Sequence, residues 1–182
     1  MKIKVKYFDK SLPLLTTLKK GDWIDLYVRE NVTLKSPQAG IQYQRDNQKF
    51  RDVKFDSCLL SLNVCMKIPK GYEAVVVPRS STFKNYKILQ TNHFGVIDNS
   101  FCGNTDEWKM PVLATEKTVI PAGTRICQFR IQLNQYATIW QKIKWLFWNG
   151  KIEFVVVDSL DSTSRGTSLT NNTTNKVESK ND

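Results

Sequence analysis

The spacing of apolar residues constrains this chain more than anything else in it. Apolar and polar residues alternate in short segments at Ile3–Tyr7, Trp23–Val28, Leu59–Ile68, Glu73–Val77, Met110–Leu113, Arg125–Leu133 and Lys151–Asp158. A two-residue period places successive side chains on opposite faces, as in a strand with one buried face. Turn formers separate the segments at Lys20-Gly21-Asp22, Pro69-Lys70-Gly71 and Pro121-Ala122-Gly123. Many short strands with few helical patterns predict an all-β barrel or jelly roll. At 182 residues the chain suits one domain with a sizeable core.

Two stretches break the rhythm. Ser36–Asp52 is polar and rich in Gln, Arg and Lys, which predicts a long surface loop or insertion. Ala137–Trp148 (ATIWQKIKWLFW) predicts one inserted helix, with Ile139, Ile143, Leu146 and Phe147 on one face and Asn149-Gly150 as its stop. Its three tryptophans suit a protein partner or a membrane surface. They equally suit packing over the barrel or at a subunit interface, and the short length favours that second reading. From Asp161 onward the chain is Ser, Thr, Asn and Lys with almost no apolar content, too little burial to offset ordering entropy. The expected plan is a barrel domain over 1–160, with inserts near 36–52 and 136–150, and a flexible polar arm over 161–182.

Net charge is +10, which favours a polyanionic partner: nucleic acid, nucleotide phosphates or an acidic protein surface. No apolar run approaches the ~20 residues that cross a bilayer. Met1 to Lys6 alternates charged and apolar residues, unlike a signal peptide. A cytoplasmic protein without a membrane partner is the expectation. The four cysteines form no CxxC pair and only one histidine is present, which argues against structural zinc and for buried free thiols.

Three segments carry chemistry. Pro78-Arg79-Ser80-Ser81 follows an apolar strand and places a guanidinium, two hydroxyls and backbone N–H groups at its end, a set suited to phosphate oxygens. Asn92–Gly103 has two glycines around a short apolar run, the pattern of a wide-mouthed hairpin. Asp98 closes its Gly95-Val96-Ile97 run, as a general base aimed into a cavity or as a turn residue. In Gly123–Gln128, Gln128 is expected on the face of Ile126, toward a ligand or a neighbouring subunit.

Together these strings resemble the trimeric dUTPase family, most closely its Gram-positive and phage branch. The resemblance rests on Gly21-Asp22-Trp23-Ile24-Asp25-Leu26, Gly71-Tyr72-Glu73-Ala74 through Ser81, Gln90-Thr91-Asn92, Gly95-Val96-Ile97-Asp98, and Gly123 to Phe129, in the family's order and spacing. It implies a distorted jelly-roll subunit and a homotrimer with sites between subunits. It also implies hydrolysis of dUTP to dUMP and pyrophosphate, which limits uracil in DNA and supplies dUMP. By the same resemblance, Asp98 activates the water that attacks the α-phosphorus. Arg79, Ser80, Ser81 and Gln128 contact phosphates; Asn92, Gly95, Val96 and Ile97 recognise uracil; and Phe101 packs on deoxyribose. Asp25 holds water around Mg²⁺.

Some features depart from the family pattern. Phe101 stands where tyrosine is usual, and His93, beside Asn92, reads as a lining or surface residue. The usual glycine-rich, aromatic C-terminal arm is rewritten as Arg165-Gly166-Thr167-Ser168-Leu169-Thr170, leaving Arg165 as a candidate phosphate clamp. Alternatives are a catalytically weak regulatory or binding protein of this fold, with a protein partner at the Trp-rich helix, and a dCTP deaminase relative. Asn104-Thr105-Asp106-Glu107 does not match the glutamate arrangement that deamination asks for. A basic nucleic-acid-binding β-protein has only the charge in its favour, so direct nucleic-acid contact is not expected.

Overall fold

The computed structural model describes residues 1–17, 22–148 and 150–160. In chain order its elements are β1 (Lys2–Tyr7), β2 (Ile24–Tyr27), β3 (Val32–Leu34), β4 (Gln38–Arg45), β5 (Gln48–Lys54), β6 (Ser57–Ser61), β7 (Val64–Lys67) and β8 (Tyr72–Pro78). There follow α1 (Thr82–Tyr86), β9 (Ile88–Gln90), β10 (Gly95–Ile97), β11 (Lys109–Ala114), β12 (Thr118–Ile120), β13 (Arg125–Leu133), α2 (Ile139–Leu146) and β14 (Glu153–Val156). The strands form sheets of order β14-β1-β7, β10-β8-β13-β2 and β6-β11-β9, with the pairs β12-β3 and β4-β5. The expected all-β class and jelly-roll architecture hold.

Alternation fills one core from several sheets. Ile3 and Val5 of β1, Leu26 of β2, Met110 and Val112 of β11, and Phe129 of β13 are all buried in a single cluster. At its centre the Trp108 ring meets Phe129 edge-on, with centroids 5.2 Å apart. Offset or edge-on pairs of this kind add about 0.5–1.5 kcal/mol to area burial.

Two expectations are corrected in detail. The polar segment expected to be a surface loop or insertion is no loop but the ribbon β4–β5, turning through Asp46 and Asn47 at φ 51° and 62°. A two-residue type I′ turn needs positive φ at both positions, which Asp and Asn tolerate. The run Leu59–Ile68 is two strands, β6 and β7, that enter different sheets. Asn63 makes the corner at φ 65°, its carboxamide exchanging hydrogen bonds with the Asp9 backbone (2.7 and 2.8 Å). A short helix, α1, follows Ser81.

The inserted helix spans Ile139–Leu146, shorter than the sequence pattern. Thr138 caps it in a capping box with Gln141. Its stop at Asn149, like Arg165 and the whole expected arm, lies outside the described residues. No helix among the described residues is long and apolar enough to cross a membrane.

Candidate functional site

Strand β8 organises the site because it is paired on both sides. Along β13, Gln128 lies between Asp25 of β2 and Val77 of β8, so three strands carry these residues side by side. A register shift between Arg125 and Cys127 buries both Ile126 and Cys127. Beyond it Phe129 and Ile131 point inward, and Gln128 lies on the opposite, half-buried face. Gln128 was expected on the face of Ile126, and the bulge makes the burial of Ile126 no guide to its surroundings.

Arg79 follows the end of β8, and its loop is fixed from behind. Its N–H donates to Ile126 O (3.4 Å), and the buried Thr82 hydroxyl donates to the same carbonyl (2.6 Å). The Arg79 guanidinium then reaches Asp25, Nε to Oδ1, at 3.0 Å, while Arg125 Nη1 approaches Asp25 Oδ2 at 3.3 Å. Two guanidiniums on one carboxylate leave a net positive charge where an anion can dock. Ser80 is exposed, and Ser81 stands at the N-cap of α1 without a side-chain capping hydrogen bond. Arg125 was not singled out from the sequence; its signal is an arginine at a strand entry three residues before Gln128.

The second half of the site is the hairpin. β10 pairs with β8 antiparallel, Gly95 opposite Val76 and Ile97 opposite Ala74. His93 takes φ 56° in the exposed loop between β9 and β10, a surface position as expected. Gln90 Nε2 donates to Asn92 Oδ1 at 2.8 Å and lies 3.4 Å from Val76 O. With its amide oxygen occupied, Asn92 presents its Nδ2 donors. The sequence placed Gln90 in the string Gln90-Thr91-Asn92 without a role, and its bond to Asn92 is supplied by the fold. A methyl group on Gly95 would rest 3.7 Å from Asn92 Nδ2 and 3.6 Å from Val76, so glycine keeps the slot beside Asn92 open.

Asp98 follows Ile97 and is exposed; its Oδ1 accepts the Ser100 N–H at 2.8 Å, and its carbonyl accepts the Phe101 N–H at 3.0 Å. The turn geometry and an outward carboxylate therefore coexist. Phe101 packs partly against the core. Behind the turn, Asp106 accepts the Gly103 N–H (2.8 Å). Glu107 is buried, pairs with Arg29 at 3.0 Å and accepts the Asn63 N–H. That commitment removes Glu107 from any deaminase-like role.

The structure thus groups Asp25, Arg79, Arg125 and Gln128 in one place and Asn92, Gly95, Val96, Ile97, Asp98 and Phe101 in another. Asp98 follows the residue opposite Ala74, and Arg79 lies five residues along, roughly 16 Å at about 3.3 Å per residue. Asp98 and Arg79 therefore lie toward opposite ends of β8, whereas Gly95, opposite Val76, and Gln128, opposite Val77, flank the same stretch of it.

A dUTPase family model matches residues 44–145, which include β8, the hairpin and Gln128. Over 166 residues the chain is 39% identical to the SPbeta prophage-derived deoxyuridine 5'-triphosphate nucleotidohydrolase of Bacillus subtilis strain 168, covering 91% of this chain and 94% of that protein. Identity to the deoxyuridine 5'-triphosphate nucleotidohydrolase of Finegoldia magna is 29%, covering 90% and 93%. The fold is that of the Streptococcus mutans dUTPase, at TM-score 0.56 and 18% identity over 72% of this chain and 93% of that one. It is likewise that of a dUTPase mutant from phage phi11 of S. aureus with a coordinated structural Mg(II) ion, at TM-score 0.56 and 13% identity over 75% and 94%. With a matching family model, a 39% identical relative along nearly its whole length and the same barrel, the chain belongs to the dUTPase family.

Proposed function

We propose that this chain hydrolyses dUTP to dUMP and pyrophosphate as a homotrimer whose sites lie between subunits. The observation that carries the reading is the placement of Asp98 and Arg79 toward opposite ends of β8. A water-activating carboxylate and a phosphate-binding arginine set this far apart in one chain meet on a single nucleotide when different copies supply them.

Asn92 Nδ2 and the hairpin backbone at Gly95, Val96 and Ile97 recognise the uracil edge. Cytosine presents the opposite pattern at position 4 and would leave these groups unpaired, the kind of mismatch that rejects strongly. Phe101 supplies a ring for the deoxyribose, without the hydroxyl of tyrosine. Asp98 takes a proton from the attacking water, and the Ser100 N–H on its other side fixes the carboxylate for that task. Arg79, Ser80, Ser81 and Gln128 hold phosphate oxygens, joined by Arg165 from the C-terminal arm.

Asp25 is the carboxylate of the phosphate cluster, and both its oxygens meet guanidiniums. No cluster of three or more His, Cys, Asp or Glu among the described residues offers a metal cage. This donor set fits Mg²⁺ that keeps its waters and arrives on the triphosphate, with Asp25 in contact through water. The ion would neutralise charge on the phosphates during in-line displacement. The enzyme would act in the cytoplasm, that of the host if phage-encoded, as one barrel domain over 1–160 with a C-terminal arm.

Pyrophosphate release from dUTP, dCTP, UTP and dTTP with Mg²⁺ tests the reaction: turnover of dUTP alone is expected, and rapid release from dCTP would sink the reading. Mixing subunits tests the shared site. Asp98→Asn and Arg79→Ala are each expected to be inactive, and co-refolding them should restore part of the activity. Absence of complementation in mixed trimers would place the whole site in one chain.

A further inference from the structure

Helix α2 turns its apolar face away from the protein. Gln141, Trp145 and Trp148 meet the barrel: Gln141 Nε2 donates to Lys70 O at 2.6 Å, and the Trp145 ring lies 5.7 Å from Tyr72 and 4.6 Å from Trp148. The opposite face carries Ile139, Ile143 and Leu146 with Trp140 and Phe147 beside them, and four of these five are 65–81% exposed. At 3.6 residues per turn this stripe is about 120° wide, and Lys142 and Lys144 fall about 40° beyond its two edges. Both lysines are exposed, and no Asp or Glu occurs between Asn134 and Lys151.

We propose that α2 lays this face in the plane of an anionic lipid surface. An apolar stripe bordered on both sides by lysines, with aromatic rings at its margin, is the form of a helix that lies at a bilayer interface. Charge selects the occupant. A second copy packed face to face about a two-fold axis would set Lys142 and Lys144 against the same lysines with no carboxylate to pair them. A groove on another protein would need acidic rims along both edges of a convex helix. A sheet of anionic headgroups supplies negative charge on both sides at once, and the chain's net charge of +10 adds a long-range attraction to it. In-plane docking needs one face and no spanning length, so it is compatible with the lack of a crossing helix among the described residues. It would replace the expectation of no membrane partner.

The test is flotation of the full chain with vesicles of phosphatidylcholine alone and of phosphatidylcholine with a third phosphatidylglycerol. Binding to the anionic vesicles is expected, with tryptophan fluorescence shifted blue and quenched by brominated lipid in the unmodified chain, and less quenched in Trp140→Phe. The double variant Leu146→Ser, Phe147→Ser should bind about tenfold or more weakly, and Lys142→Gln with Lys144→Gln several-fold more weakly, both keeping wild-type dUTP hydrolysis. No flotation on anionic vesicles overturns the proposal and leaves the face to a protein. Equal binding by the serine variant reduces the effect to charge adsorption and also overturns it. So does a smaller lipid-free oligomer for the serine variant than for the wild type, since a second copy then covers the face. Brominated-lipid quenching decides the matter if a variant fails to fold.

Discussion

The β9–β10 hairpin and helix α2 both leave the barrel between strands, yet they are held in opposite ways. β10 pairs residue for residue with β8, and the hairpin's side chains bond to one another and to its own backbone, as in Gln90 to Asn92 and Ser100 to Asp98. α2 has no buried residue and rests on a capping box, one hydrogen bond to Lys70 and ring contacts. Recognising a base requires donors and acceptors fixed before the ligand arrives, because each unpaired buried group costs about 1–3 kcal/mol. Docking to a surface requires only a face. The hairpin is accordingly a polar network and the helix an apolar stripe.

The sharpest way to break this comparison is to strike chemistry in one region and the helix in the other. Asp98→Asn should lower turnover by about 10²–10⁴-fold, the usual contribution of a general base, while nucleotide binding persists. Steady-state pyrophosphate release and direct nucleotide titration check both halves. A residual rate within tenfold of wild type would remove Asp98 from the chemistry. Ile139→Ser and Trp140→Ser on α2 should leave the rate unchanged.

Stability should divide the same way. Phe129→Ala removes a fully buried ring that Trp108 packs against, and should cost about 3–5 kcal/mol in denaturant melts. Trp140→Ala, at a 71% exposed position, should stay within about 0.5 kcal/mol. A large loss at Trp140 would mean that a neighbouring subunit covers α2 in solution.

Gln90→Leu probes the hairpin network alone. With Asn92 Oδ1 no longer held, its carboxamide can turn and offer oxygen in place of nitrogen. The ratio of kcat/KM for dUTP over dCTP should fall roughly tenfold, a loss of about 1.4 kcal/mol of discrimination, with the dUTP rate falling less. An unchanged ratio would show that the backbone alone reads the base.

The difference between the regions also explains what could be read in advance. Strand periodicity located most of the barrel because alternation and burial are the same fact seen twice. The corner at Asn63 was hidden inside an apolar run, since a single residue at φ 65° leaves no trace in the period. The ribbon β4–β5 was unreadable for the converse reason: β5 is exposed on every residue, so no apolar period was needed. At the site, Asp98 and Arg79 stood out through their motifs, but Gln90 and Arg125 act through neighbours that only folding supplies. The helix was found by its period, and its orientation was not. The sequence shows an apolar stripe, while Trp145 and Trp148 on the other side are what the barrel accepts.

The smallest effect lies at the Asn63 corner, where Glu107 accepts the Asn63 N–H and pairs with Arg29. Burial raises its carboxyl above the usual range, and the Arg29 guanidinium opposes that shift without cancelling it. The folded state therefore holds this proton more tightly than the unfolded chain does. The stability contributed is fully present below the unfolded value near 4.3 and is lost as pH rises through the folded one. Denaturant midpoints of the wild type should fall relative to Glu107→Gln across that window and run parallel to it at higher pH. A wild-type midpoint that instead rises relative to Glu107→Gln would show that Arg29 outweighs burial. No such dependence should follow any change on α2, whose described residues include no carboxylate.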